Sequence, residues 1–279
     1  MSGKNMPRPC VSVLMTSYNY ERFIPDAIES VLNQTISDIE LIIVDDGSTD
    51  SSRDIIRKYQ GQDDRIRTLF HPENMGIART VNDGIGMAEG IFLASIASDD
   101  LWMADKLEKQ LLVLSKDEDL IVWSEGVVID SAGTPNGMYF TQIVPDAQGS
   151  RKSGYIFEDL LAGNFIFGST RILKRENLDG IRFNEALRYL NDHQFAVDLA
   201  YKYDYFFIDE PLACYRVHGK NTQIRDPVPF IVDLQKLYGY FLQRYGREIS
   251  LIRRYELWAR YYWQMIRIYQ MKRRTGQNG

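Results

Sequence analysis

The sequence has little of several features that mark large classes of protein. It holds two cysteines in 279 residues, Cys10 and Cys214, which leaves one long-range disulfide or, by our interpretation, two buried thiols in a reducing compartment. No apolar run approaches the roughly 18 residues that a membrane-spanning helix needs. The stretch from Met1 to Pro9 contains no apolar segment, which argues against a secretory signal. We therefore expect a cytoplasmic protein without a transmembrane segment.

Two phosphate-binding motifs are also missing. No Gly-x-Gly-x-x-Gly follows the first predicted strand, and no Gly-x-x-x-x-Gly-Lys-Ser/Thr occurs, which argues against a dinucleotide fingerprint and against a P-loop. The net charge of −5 argues against nucleic acid as the main partner. This charge is uneven, because the segment from Lys236 to the C-terminus carries ten basic and two acidic residues. An acidic body of −13 therefore precedes a basic tail of +8.

What is present is an alternation of apolar strands and amphipathic helices. With 44% hydrophobic residues the chain can bury a substantial core. Near-continuous apolar segments predict strands at 11–15, 40–44, 66–70 and 91–96, with helices between them. This rhythm indicates an α/β fold, a mostly parallel sheet flanked by helices. Later segments predict helices at 106–114 and 190–201, strands at 120–129 and 205–208, a loop at 145–154, and helices from about 229 onward.

Polar clusters follow three of the predicted strands: Thr16 to Asn19, Asp45-Asp46, and Asp99-Asp100. Right-handed crossovers bring these strand ends to one edge of the sheet, where open α/β folds bind ligands. Adjacent carboxylates repel each other unless a cation or hydrogen-bond donors compensate, and their oxygens suit Mg²⁺ or Mn²⁺. Taken alone, Asp99-Asp100 is more typical of a helix N-cap and turn than of a metal site, and Asp45-Asp46 also fits a turn that precedes a helix.

A set of motifs in a fixed order carries a family resemblance. Along the chain stand VSVLMTSYN (11–19), SVLNQT (30–35), ELIIVDDGSTD (40–50), NMG (74–76), NDGI (82–85), AEG (88–90) and SDDLW (98–102). Together they resemble the nucleotide-sugar-binding half of the GT-A-fold, family 2 inverting glycosyltransferases, densely to about residue 105 and sparsely to about Asn221. The resemblance implies a GT-A-like (Rossmann-like) fold. It also implies transfer of a sugar from a nucleotide diphosphate donor, UDP-linked by our interpretation, to a hydroxyl acceptor, with Mn²⁺ or Mg²⁺.

The resemblance also implies which residues bind the nucleotide-sugar: Thr16, Tyr18, Asp45, Asp46, Asn74, Gly76, Arg79, Asp99 and Arg216. Tyr18 would pack on a uracil-type ring, and Asp46 would accept a hydrogen bond from the N–H of the base. Asp99 would contact the ribose or the donor sugar. Arg79 is the arginine nearest to Val81, where family members often carry one immediately before the asparagine.

The same resemblance implies the metal ligands. Asp100 is the second carboxylate of the Asp-x-Asp-type motif and would bind the metal that bridges the diphosphate. Residues 215–221 resemble a Tyr-Arg-x-His-x-x-Asn segment. His218 would then approach the metal or the diphosphate, while Arg216 would hold the phosphates or order the loop. Imidazole can serve a Mn²⁺ site, although a lone histidine is as often structural.

The catalytic base is predicted from a further segment. Residues 190–195 resemble a Glu-Asp-x-x-Phe/Leu motif, with Asn191 in place of the usual glutamate. Asp192 matches the carboxylate that deprotonates the acceptor hydroxyl as it attacks the anomeric carbon. The alternative is a helix-start carboxylate that the helix dipole favours.

We therefore predict a catalytic domain over residues 1–228, with a nucleotide-sugar half at about 9–105 and an acceptor half at about 106–228, and a helical extension over 229–279. The basic, aromatic extension either packs on the domain or lies as a peripheral anchor on the inner face of the cell membrane, which suits a lipid-linked acceptor. The expected partners are the donor and a glycan or lipid-linked acceptor, and a homodimer is left open. Two other functions remain: a non-catalytic nucleotide-sugar-binding relative, and a sugar nucleotidyltransferase, which normally carries a glycine-rich phosphate loop.

Overall fold

The first hundred residues form parallel strands joined by helices, as their pattern predicts. The computed structural model describes residues 9–144, 151–219 and 227–274. In chain order it has β1 (Val11–Ser17), α1 (Ile24–Leu32), β2 (Ile39–Asp45), α2 (Ser52–Gln60), β3 (Ile66–Phe70), α3 (Ile77–Met87) and β4 (Phe92–Ala97). Strand β1 pairs in parallel with β2 and β4, and β2 pairs with β3. Every residue of β2 is buried, as expected for a strand covered by helices on both faces.

The second half of the chain extends the same sheet with shorter or irregular strands. These are β5 (Leu101–Trp102), β6 (Ile121–Ile129), β7 (Pro135–Tyr139), β8 (Ile172–Lys174) and β9 (Tyr205–Arg216). The order across the described sheet is β3-β2-β1-β4-β8-β6-β9-β5, with β7 beside β6. Strand β9 continues well past the predicted end at residue 208, because shifts in its register with β6 accommodate the polar stretch around Pro211.

The remaining described helices cover the sheet and complete the fold. They are α4 (Lys106–Leu114), α5 (Phe140–Ile143), α6 (Phe157–Ala162), α7 (Asn191–Lys202), α8 (Pro227–Tyr245) and α9 (Leu251–Arg274). Single turns of 3-10 helix stand at Gly168–Thr170 and Arg175–Leu178. Most of the predicted loop at 145–154 lies outside the described residues, as do Lys220 and Asn221.

Helix α8 packs in the main hydrophobic core. Its Leu237, Phe241 and Tyr245 are buried with the side chains of α7. The buried Asp198 of α7 accepts hydrogen bonds from the hydroxyls of Tyr240, at 2.7 Å, and Tyr245, at 2.6 Å. Burial and the charge of Asp198 hold the pKa of both tyrosines far above the usual value. The first part of the basic tail is therefore a core helix, while the boundary at residue 228 stays a prediction.

Helix α9 packs on α8 by one face and leaves the other in solvent. Leu257 and Gln264 are buried, and Gly239 of α8 leaves room for the ring of Tyr261. No helix within the three described ranges is long and apolar enough to cross a membrane. The outer face of α9 exposes a row of large apolar side chains: Leu251, Ile252, Tyr255, Trp258, Tyr262, Trp263, Met265, Ile266 and Tyr269.

Candidate active site

The carboxyl ends of β1, β2 and β4 open into one cavity of about 550 Å³, which we call the donor cavity. The start of α7 and the turn at Gly168–Thr170 form its other walls. The structure therefore brings strand-end residues from the first half of the chain against a helix start from the second half. Seven of the predicted site residues line this cavity: Thr16, Tyr18, Asp46, Asn74, Asp99, Asp100 and Asp192.

The acidic pair after β4 is buried. Asp100 accepts a hydrogen bond from Ser169 Oγ at 2.6 Å and one from the backbone N–H of Arg216 at 3.2 Å. Burial, together with the charge of Asp99, raises the pKa of Asp100 well above its usual value. Asp99 Oδ2 lies 3.0 Å from His218 Nε2. Two adjacent carboxylates are thus kept out of water at the floor of the cavity, where a cation would relieve their repulsion.

Arg216 and His218 contact this acidic pair but do not line the donor cavity. The buried Arg216 donates from Nε to the backbone oxygen of Asp99 at 2.8 Å, and its guanidinium lies 5.0 Å from the ring centroid of Phe23. His218 stacks on the same ring with centroids 4.6 Å apart. Both predicted roles of Arg216, holding the phosphates and ordering the loop, stay predictions. His218 contacts one member of the acidic pair, Asp99, without lining the donor cavity.

The donor set for a metal in this structure is small. Among the described residues no group of three His, Cys, Asp or Glu side chains could hold an ion. Mg²⁺ is commonly held by one or two carboxylates together with substrate phosphates and water. Asp99 and Asp100, adjacent and lining the cavity, fit that partial donor set, and a bound diphosphate would supply the remaining oxygens.

The first aspartate after β2 stabilises the turn into α2. Asp45 is fully buried and accepts hydrogen bonds from Arg53 Nε at 2.7 Å, Ser48 N–H at 2.9 Å and Ser17 Oγ at 3.1 Å. Arg53 also donates to the backbone oxygen of His71. Asp45 does not line the donor cavity, and its contacts hold the turn in which the neighbouring Asp46 stands.

The second aspartate, Asp46, joins the end of β2 to the loop before α3. Its two oxygens accept hydrogen bonds from the backbone N–H groups of Met75, at 2.7 Å, and Gly76, at 2.9 Å. His71 Nδ1 lies 2.9 Å from the same carboxylate, and His71 Nε2 lies 3.1 Å from Asp83. Asp46 therefore fixes the rim of the cavity in addition to lining it.

Two predicted rim residues face a neighbouring groove instead. Gly76 has a φ of +90°, a conformation that glycine adopts without strain, and it lines this groove with Arg79. Arg79 is exposed and donates from Nε to Asp83 at 2.8 Å. Asn74 lines both the groove and the donor cavity. The predicted ribose or phosphate role of Arg79 stays a prediction, and its side chain lies outside the donor cavity.

Asp192 stands in the first turn of α7, exposed at the wall of the cavity. One oxygen accepts a hydrogen bond from Asn164 Nδ2 at 3.1 Å, and the other accepts one from the N–H of His193 at 2.7 Å. His193 itself is buried with Nε2 2.6 Å from the backbone oxygen of Leu160, and burial lowers its pKa. Asp192 is thus oriented by two donors and keeps free lone pairs toward the cavity.

Sequence reasoning missed several residues that build the site. Ser169, which donates to Asp100, comes from a single turn of helix that has no motif of its own. His71 follows β3, so the strand-end rule that found the aspartates could have found it. Tyr20 lines the donor cavity, and burial with the charge of Asp99 raises its pKa. Arg188 is shared by the donor cavity and the groove, which no sequence signal indicated.

The chain combines a mostly parallel sheet in its first half with an acidic pair at the carboxyl end of β4. The sequence profile of Glycosyl transferase family 2 matches residues 12–181. The chain therefore belongs to this family, and the resemblance carried by its ordered motifs is confirmed.

Two relatives from Bacillus subtilis strain 168 are provisionally assigned as glycosyltransferases. EpsH is 31% identical over 218 residues, which is 76% of this chain and 62% of that protein. TuaG, whose name refers to teichuronic acid biosynthesis, is 46% identical over 104 residues, 37% of this chain and 41% of that protein. The chain spans less than two thirds of the length of either relative.

Two solved structures share the fold. Residues 1–349 of Staphylococcus aureus TarS, in complex with UDP-GlcNAc, give a TM-score of 0.67 at 19% identity, covering 91% of this chain and 72% of that one. The mannosyltransferase PcManGT from Pyrobaculum calidifontis, in complex with GDP-Man and Mn²⁺, gives a TM-score of 0.66 at 16% identity. The match covers 98% of this chain and 76% of that one. At these identities the likeness concerns the fold, and it confirms the predicted GT-A type.

Proposed function

We propose that this chain transfers a sugar, with inversion, from a UDP-linked donor to a hydroxyl group of a polysaccharide, glycan or glycolipid. One observation carries the proposal: the acidic pair Asp99-Asp100 and the helix-start carboxylate of Asp192 line the same cavity. An inverting transferase needs a charge-compensated diphosphate site and a base within one such space. The family membership supports the reaction class, and the TarS complexes with UDP and UDP-GlcNAc support the donor class.

The donor would lie along the strand ends. Tyr18 is 43% exposed, so its ring is available to stack on a base, with Thr16 and Asn74 beside it. The oxygens of Asp46 already accept two backbone N–H groups and face His71, and a carboxylate has about four acceptor sites, so capacity for a base N–H remains. Asp99 would contact the ribose or the donor sugar from the floor of the cavity.

A divalent cation, Mn²⁺ or Mg²⁺, would be held by Asp100 with Asp99 beside it. When bound, such an ion offsets the charge that develops on the leaving diphosphate. Asp100→Ala tests the assignment by calorimetry with UDP in the presence and absence of Mn²⁺. We expect the variant to lose the Mn²⁺-dependent part of the UDP affinity, with Asp54→Ala on the exposed surface of α2 as the control. Equal enhancement by Mn²⁺ in the variant and the wild type would contradict this site.

Asp192 would act as the general base. Asn164 and the His193 N–H orient its carboxylate, and the remaining lone pairs can accept the proton of the acceptor hydroxyl. Asp192→Asn keeps the shape and should lower sugar transfer by at least about a hundredfold, the usual scale of general base catalysis, while UDP affinity is preserved. Turnover near that of the wild type would reject Asp192 as the base.

The donor is best identified by thermal shift against a panel of UDP- and GDP-sugars. A ligand at 100 times its Kd stabilises the folded state by about 2.7 kcal/mol, so a preferred donor stands out. Release of free sugar from that donor in the presence of Mn²⁺ would separate an active transferase from a non-catalytic binder. No stabilisation by any nucleotide-sugar would count against the whole proposal.

We further propose that the outer face of α9 rests on an anionic membrane surface. Trp263 is 58% exposed and Tyr262 54%, in a helix with seven basic residues and one acidic. Aromatic rings and basic groups together favour the headgroup region of anionic lipid. A two-fold pairing of the same face in a homodimer would instead bring equal positive charges together.

Vesicle sedimentation of the full chain tests this contact, with phosphatidylglycerol-containing vesicles against pure phosphatidylcholine. The double variant Trp258→Ser/Trp263→Ser should bind the anionic vesicles about tenfold more weakly, whereas Leu112→Ser, an exposed apolar residue of α4, should bind like the wild type. Equal binding by the double variant would contradict the proposal. If the wild type binds no vesicles but forms a concentration-dependent dimer that the double variant does not form, the face serves self-association instead.

A further inference from the structure

A second space, the groove lined by Gly76 and Arg79, adjoins the donor cavity. Its volume is about 780 Å³, larger than the donor cavity itself. Asn74, Ile77, Arg188 and Tyr189 line both spaces, so molecules bound in the two would touch. Tyr189 stands three residues before Asp192, which places the proposed base close to the junction.

The groove contains two basic side chains that form no ion pair among the described residues, Arg188 and Lys236. Arg188 lies with its guanidinium 5.3 Å from the ring centroid of Tyr189, and Lys236 donates from Nζ to the backbone oxygen of Ala186 at 2.9 Å. Neither forms an ion pair within the described ranges. The buried Asp233, which also lines the groove, accepts hydrogen bonds from the backbone N–H groups of Arg188 and Tyr189.

The remaining acidic side chain of the groove is also engaged elsewhere. Glu185 accepts a hydrogen bond from Asn82 Nδ2 at 3.2 Å. Arg79, the third cation of the lining, is already paired with Asp83. Arg188 and Lys236 are therefore the groups of the groove that an anionic ligand would meet.

The wall beside these cations is apolar. Val228, Pro229 and Val232 from the first turns of α8 face the groove, with Met75 across from them in the lining. Met75 is 49% exposed and Val228 38%, so this apolar surface is open to a ligand. The same helix α8 carries α9, whose exposed aromatic face is proposed above to rest on lipid.

We propose that this groove binds the phosphate-bearing part of an amphipathic acceptor, in which a sugar is linked through a phosphate or diphosphate to a hydrocarbon chain. Arg188 and Lys236 would bind the phosphate oxygens, and the wall formed by Val228, Pro229 and Val232 would contact the start of the chain. The sugar of the acceptor would then point across Tyr189 toward Asp192. This inference rests on the proposed glycosyl transfer and names its acceptor class.

The test uses the full chain with UDP at saturation, so that the donor cavity is occupied and cannot take up the probe. Calorimetry then compares farnesyl diphosphate, farnesol and inorganic diphosphate. We expect farnesyl diphosphate to bind at least about tenfold more tightly than either fragment, because only it engages both the cations and the apolar wall. Inorganic diphosphate binding as tightly as farnesyl diphosphate would overturn the amphipathic acceptor.

Lys236→Gln is the decisive variant, because Lys236 is exposed and lines the groove but not the donor cavity. It should weaken farnesyl diphosphate binding about tenfold, the scale of one charge-assisted hydrogen bond. Lys58→Gln, an exposed lysine of α2, is the matched control. Unchanged affinity in Lys236→Gln would overturn the groove as the phosphate site.

A second variant separates the apolar part of the site. Val232→Asn should lower the affinity for farnesyl diphosphate. It should leave the affinity for inorganic diphosphate, which is weaker from the start, unchanged. UDP affinity, measured first for each protein, reports on the donor cavity alone. A protein that binds UDP but shows no difference among the three probes fails this inference while keeping the proposed function, and a protein that binds no UDP fails the proposed function itself.

Discussion

Asp233 on α8 should control both the stability of the fold and the position of the catalytic loop. Its buried Oδ2 accepts hydrogen bonds from the backbone N–H of Arg188 at 2.6 Å and of Tyr189 at 2.7 Å. These two residues line the junction between the donor cavity and the groove, and the chain then enters α7 at Asp192. We predict that Asp233→Ala destabilises the protein and lowers the rate of sugar transfer.

The size of the effect follows from the two bonds. A hydrogen bond to a charged acceptor contributes about 1.5–3 kcal/mol, but water reaches this loop in part because Arg188 is exposed. We therefore expect Asp233→Ala to lower the free energy of unfolding by about 3 kcal/mol in total. Asp233→Asn keeps one carbonyl oxygen that can accept both N–H groups, so its loss should be about 1 kcal/mol. Asp54→Ala, with a side chain 83% exposed, should stay within about 0.5 kcal/mol of wild type.

Urea unfolding measures the stability, and steady-state kinetics with the preferred donor reports on the position of the loop that leads to Asp192. A displaced Asp192 should lower kcat about tenfold in Asp233→Ala, with Asp233→Asn recovering most of it, while the KM for the donor changes little. An unfolding free energy of Asp233→Ala within about 0.5 kcal/mol of wild type would refute the energetic reasoning. A stability loss with an unchanged kcat would refute the positioning role and leave Asp233 as a purely structural residue.

Further predictions concern the sheet and the rim of the cavity. Burial alone would raise the pKa of Glu40, but hydrogen bonds from Ser12 Oγ and other donors outweigh it and lower the pKa below 4.5. Glu40→Gln should therefore lower the free energy of unfolding by about 1 kcal/mol at pH 7. Urea unfolding at a series of pH values should show the difference between wild type and variant vanishing as the pH falls through the lowered pKa. Gly90→Ala would bring a Cβ to 2.4 Å from the backbone nitrogen of Ser12 and should cost about 1–3 kcal/mol in thermal unfolding. His71→Ala removes a partner of Asp46 and should weaken UDP binding several-fold, as measured by calorimetry. Unchanged affinity would show that the contact between His71 and Asp46 does not support UDP binding.

The carboxyl ends of the parallel strands could be predicted because periodicity locates where an apolar strand stops. Asp46, Asp99 and Asp100 were found in this way, and they do line one cavity. Their partners could not be found in the same way. Ser169 lies 69 residues from Asp100 and has no local pattern that announces the hydrogen bond. Pairings of this kind depend on the final packing of the second half of the chain, where the strands are short.

The same limit explains the irregular half of the sheet. Strands β5 and β8 have two and three residues, too few for any alternation to stand out. The tail shows a different limit, because composition averages over the whole segment from Lys236. Leu237 and Phe241 of α8 are fully buried, whereas Ile252 of α9 is 74% exposed. A charge count cannot distinguish a basic core helix from a basic surface helix, since arginine stems lie along apolar surface while their charged ends reach water.

The acidic residues of the site differ in how their charge is compensated, and this difference identifies where a cation has most effect. Asp45 has the guanidinium of Arg53 at 2.7 Å, whereas Asp99 has a hydrogen-bond contact at 3.0 Å with the ring of His218. Asp100 accepts from a hydroxyl and a backbone N–H, and within the described residues no cationic side chain forms an ion pair with it. Its raised pKa reflects the free energy that burial beside another carboxylate costs. We therefore expect a cationic ligand to have its largest effect at Asp100, as in the metal site proposed above.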